Sequence, residues 1–122
     1  MKLITVCSRG IFAEWDTKDL EVINVTKLDI GAGKIKFCEI REKHAVTYSV
    51  ENKQFRVFDT EVGRMTRQFS SLTSGLAVTN IAVSEDAKIV TYTQGNTVVI
   101  ADLGYKKEEQ IANTLITRAT LP

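Results

Sequence analysis

A short phrase ending in aspartate recurs at a fixed interval, and that interval limits what the chain can become. Phe12-Ala13-Glu14-Trp15-Asp16 is followed by Phe55-Arg56-Val57-Phe58-Asp59, then by Val98-Val99-Ile100-Ala101-Asp102. Asp16 to Asp59 and Asp59 to Asp102 are both 43 residues. Self-similarity at a period of ~20–50 residues marks a unit that cannot bury its apolar side alone and stacks on its neighbours.

Within each unit, apolar and polar residues alternate and β-branched side chains dominate, which predicts strands. Val46-Thr47-Tyr48-Ser49-Val50 alternates, as does Val90-Thr91-Tyr92-Thr93, and Thr97-Val98-Val99-Ile100-Ala101 is an apolar run of strand length. The phrase from Ile4 to Phe12 overlays the one from Val90 to Val98, twice the period away. Val46 to Phe55 is the middle copy, with a turn one residue longer. Glycine or asparagine in these turns tolerates positive φ, so each copy is predicted to be a hairpin. A third strand is predicted before each hairpin, in the strand-then-turn stretches 35–43 and 78–86, and again at 116–122. A fourth is predicted at 21–26, 65–70 and 108–112, with Gly31 and Gly75 following the first two. Residues 106–112 include good helix formers, but only Ile111 and Ala112 to bury, so no helix is predicted there.

With blade strands lettered a to d from the inside out, the chain reads c-d, a-b-c-d, a-b-c-d, a-b. This is an all-β chain of four-stranded antiparallel blades, about three blades in total. The repeats fall near 1–16, 17–59, 60–102 and 103–122, with no second domain. The phrases resemble the WD-repeat family of β-propellers over essentially the whole chain. In that family a blade ends in Trp-Asp, begins with Gly-His and carries an Asp in the c–d turn. A His, that Asp, a Ser or Thr and the Trp form a buried hydrogen-bonded set. Here Asp16, Asp59 and Asp102 keep the final aspartate, while Trp15 keeps the tryptophan once and Phe58 and Ala101 replace it. The Gly-His positions read Gly31-Ala32 and Gly75-Leu76, and the c–d turns read Arg9, Asn52 and Gly95. The full polar set is missing from every blade. The resemblance therefore implies blades held by apolar packing, with Phe37, Phe58, Phe69, Ile81, Val83 and Ile100 between them.

Propellers close with ~4–8 blades. Three leave an open arc with two apolar faces and unpaired strand edges, which are templates for association. One completion pairs the C-terminal a-b strands of one copy with the N-terminal c-d strands of the next, so that two copies make six blades. The other makes the chain a segment of a longer propeller, which the stop at Pro122, at the entry to a turn, favours. Either way the expected partners are other protein chains or further copies of this one.

Composition narrows the function. Sixteen basic and fifteen acidic residues are interspersed, and the net charge is +1. No field points to nucleic acid or an anionic membrane. No apolar run approaches the ~18–20 residues of a membrane span, and the N-terminus lacks the ~7–15-residue apolar stretch of a signal peptide. Cys7 and Cys38 lie in apolar strand patterns and are predicted to be buried free thiols, which fits a reducing intracellular location, cytoplasm or nucleus. Two cysteines and one histidine without ligand spacing offer no zinc site, and no metal or cofactor is expected.

Catalysis needs titratable groups converging in a pocket. His44 is the only histidine and is predicted to be an exposed turn residue, so no Ser-His-Asp or Cys-His set can be assembled and the chain is expected not to be an enzyme. The three repeated aspartates are predicted to cap the turns that follow them. Gly31-Ala32-Gly33-Lys34 lacks the full phosphate-loop pattern and a following helix.

Rigid repeat scaffolds carry function on loops. The loops at 17–19, 41–44, 61–64, 85–88 and 103–107 are expected on one face. Lys18, Arg41, Lys43, His44, Arg64 and Lys88 are the predicted partner contacts. The reading is a non-catalytic protein–protein interaction scaffold in an intracellular multiprotein complex. The alternative is a self-assembling small propeller that binds a small polar ligand such as a sugar. That role wants aromatic rings at equivalent loop positions, and Trp15, Tyr48, Tyr92 and Tyr105 do not recur so.

Overall fold

The computed structural model describes residues 2–31, 33–71, 75–103 and 115–120. Among them are eleven strands and no helix. They are β1 (Lys2–Val6), β2 (Ile11–Asp16), β3 (Glu21–Lys27), β4 (Ile35–Arg41), β5 (His44–Ser49), β6 (Gln54–Asp59), β7 (Met65–Ser70), β8 (Val78–Val83), β9 (Ile89–Gln94), β10 (Thr97–Asp102) and β11 (Leu115–Thr120). They form three antiparallel sheets in chain order: β1-β2-β3, β4-β5-β6-β7 and β8-β9-β10-β11. The second sheet lies between the other two, and the second and third touch through their first strands, β4 and β8.

The middle position explains the burial of β5. Ala45, Val46, Thr47, Tyr48 and Ser49 are all buried in succession, because both faces of the strand are covered. On one side, Phe12, Leu28 and Ile30 meet Ala45 and Phe58. On the other, Val46, Tyr48, Phe55, Val57 and Phe69 meet Val78, Ile81, Val83, Val90, Tyr92, Val99 and Ala101. Phe55 is the hub of this second core. Its ring lies 4.7 Å from Tyr48, 4.9 Å from Phe69 and 4.5 Å from Tyr92, centroid to centroid. Such ring pairs add to simple area burial.

The division into sheets differs in phase from the one expected. The break falls between β3 and β4 and between β7 and β8, so that Asp59 and Asp102 end the third strand of their sheets and Asp16 the second strand of its three-stranded sheet. The connections explain why. Residues 17–20 and 60–64 are tight turns, which join antiparallel neighbours, whereas 28–34 and 71–77 are longer and can carry the chain to a new sheet. The first sheet accordingly has three strands and no equivalent of β4 or β8. The strand expected at 108–112 lies outside the described residues. The strand expected at 116–122 as the second strand of a further blade instead pairs with β10 as β11.

The hairpin overlay is also corrected by one residue. Val57 pairs with Val46, but Ile100, 43 residues later, pairs with Thr91. Ladder position therefore equates Val46 with Thr91, not with Val90. The β5–β6 turn spans 50–53, whereas the β9–β10 turn is Gly95-Asn96 alone, and a slip of one residue exchanges the faces of a strand. Val46 and Val90 consequently approach the same core from opposite sheets.

Of the six residues expected between blades, Phe58, Phe69, Ile81 and Val83 are buried there and Phe37 packs against the core. Ile100 does not: it is 38% exposed, on the outward side of the third sheet. Cys38 is half-buried in β4, but Cys7 is exposed in the β1–β2 turn, beyond the strand expected to enclose it; both thiols are free.

Candidate interaction surface

Each repeated aspartate was expected to cap a turn, and two do so among the described residues. The Asp16 carboxylate accepts hydrogen bonds from the backbone N–H of Lys18 (2.8 Å) and Asp19 (3.4 Å), and Asp59 accepts from Glu61 (2.8 Å). The turns close alike: Leu20 N–H donates to the Asp16 carbonyl and Gly63 N–H to the Asp59 carbonyl. Leu20 and Gly63, 43 residues apart, both have positive φ, 57° and 79°. Gly63 meets a second demand, because its carbonyl accepts from Asp29 N–H in the β3–β4 connection. The capping aspartates thus place the turns that carry the exposed charges.

The six predicted contact residues are not equivalent. Lys18 and Arg64 are exposed in the β2–β3 and β6–β7 turns. Lys43 is exposed in the β4–β5 turn and pairs with Glu61 of the β6–β7 turn at 3.0 Å, and this hydrogen bond raises the lysine's pKa above its ordinary value. Lys88 is exposed in the β8–β9 turn, which Asp86 closes by accepting from Ser84 Oγ (2.7 Å) and Lys88 N–H (3.0 Å). Arg41 stands apart. Its Nε donates to the Val83 carbonyl at 3.2 Å and its Nη1 to Glu39 and the Ile40 carbonyl, so it fastens the second sheet to the third. His44 is also corrected. It is the first residue of β5 and half-buried, not an exposed turn residue, and its Nδ1 is buried without a hydrogen-bond partner.

His44 and Lys88 come together across a cleft of about 540 Å³ between the second and third sheets. Glu42, Arg67 and Asp86 bring mixed charge to its walls, and Val57 and Leu103 form its apolar part. No aromatic ring of Phe, Tyr or Trp lines it. Among the described residues there is no group of three or more possible metal ligands and no helix long and apolar enough to cross a membrane. Residues 104–107 of the expected loop face lie outside the described residues.

Sequence reasoning expected apolar blade faces left open but placed no residue on them. Trp15, Leu3, Val22 and Val25 share the outward side of the first sheet. Trp15 Nε1 donates to Thr5 Oγ1 at 2.9 Å, which fixes the indole against β1. The signal was in the repeat itself: Trp15 lies 43 residues before Phe58, a fully buried residue between sheets.

Stacked antiparallel sheets of three and four strands in chain order define a β-propeller-like arc. Solved structures agree. KlHsv2 with loop 6CD replaced by a Gly-Ser linker matches at a TM-score of 0.65 and 13% identity, over 98% of this chain and 36% of that one. Hsv2 of Kluyveromyces lactis matches at 0.62 and 16% identity, over 80% and 37%. Hsv2 of Kluyveromyces marxianus matches at 0.64 and 16% identity, over 84% and 32%. At these identities the likeness is one of fold, and the chain spans about a third of the length of these structures. No protein-family model and no curated protein matches.

Proposed function

We propose that this chain is a non-catalytic scaffold for protein–protein interaction, a propeller segment that works within an intracellular multiprotein complex. The observation that carries the reading is the row of charged turns at one end of the sheets. Lys43 and Glu61 join two turns of the second sheet, and Lys88 faces them across the cleft that His44 lines. Rigid strands hold these groups while the turns stay accessible, which is how repeat scaffolds present side chains. The partners are proteins, and the absence of a strong net field favours neither nucleic acid nor membrane. The sugar-binding alternative gains nothing from a cleft with no Phe, Tyr or Trp ring to stack on a sugar.

Tagged chain recovered with its bound proteins tests the reading. The double variant Lys43→Glu, Lys88→Glu should weaken partner binding by at least ~10-fold, a difference readable by titration calorimetry with the recovered partner. An unchanged set of bound proteins and unchanged affinity would remove these turns from the interface.

A further inference from the structure

We draw no further inference here: the strongest candidate, the cleft between the second and third sheets that His44 and Lys88 line, belongs to the interaction surface already described, and its walls set Glu42 and Asp86 against Arg67 and Lys88, so that charge singles out no class of occupant.

Discussion

Phe55 is the residue whose removal should cost most. Its ring is fully buried and meets three others from two sheets. Phe55→Ala should lower unfolding free energy by about 3–5 kcal/mol in a denaturant titration. Ile100→Ala should cost under about 1 kcal/mol, since that side chain already meets solvent. The two thiols should also separate cleanly. Burial pushes the Cys38 pKa up to about 12, while a backbone hydrogen bond at Ile11, above other causes, holds the exposed Cys7 below its ordinary value. A disulfide reagent at neutral pH should therefore modify one thiol per native chain, with peptide mapping placing it at Cys7. At this scale alternation revealed Phe58, Phe69, Ile81 and Val83 as core. It could not reveal that Ile100 lies on the outward side of the third sheet, because its periodicity is that of a residue with a neighbour. His44 was misread because its turn has only Glu42 and Lys43 at the tip, which draws the imidazole into the strand.

Among the elements, the capped turns set both stability and phase. A Cβ at Gly63 would stand 2.1 Å from the Lys27 carbonyl oxygen, a backbone atom that cannot swing aside, and φ is already positive there. Gly63→Ala should destabilise the chain by at least about 2 kcal/mol, measured by thermal or denaturant unfolding. The β8–β9 turn carries a pH dependence. The Ser84 hydroxyl, first among its partners, holds the Asp86 carboxyl below its ordinary value of 3.8. A depressed carboxyl contributes its stabilisation fully above the unfolded pKa and loses it as pH falls through the folded one. Asp86→Asn should thus be less sensitive than wild type to acidification below about pH 4, as followed by unfolding at stepped pH. The existence and type of nearly every described strand were legible in the 43-residue pattern. Sheet membership was not, because the repeat has the same period wherever its boundary is drawn. The tight turns at 17–20 and 60–64 keep strands in one sheet and the seven-residue connections at 28–34 and 71–77 carry the chain to the next, but length alone does not set the boundary, because β10 and β11 pair across a longer connection still.

For the molecule as a whole, the account is that a 43-residue unit builds one sheet and that three such sheets stack into an open arc. The proposed interactions follow from the turns that join its strands. The repeat made the stacking legible, but the outward position of Trp15 emerged only once the ladders had assigned sides to each strand. The partition into sheets is the claim on which all else depends, and cross-strand nuclear Overhauser contacts in the isotope-labelled chain test it most directly. The account predicts backbone contacts joining β6 to β7 through pairs such as Val57 with Arg67, ring contacts between Phe55 and Tyr92, and no ladder between β3 and β4. A continuous ladder from β3 into β4, with Phe55 and Tyr92 out of contact, would contradict it.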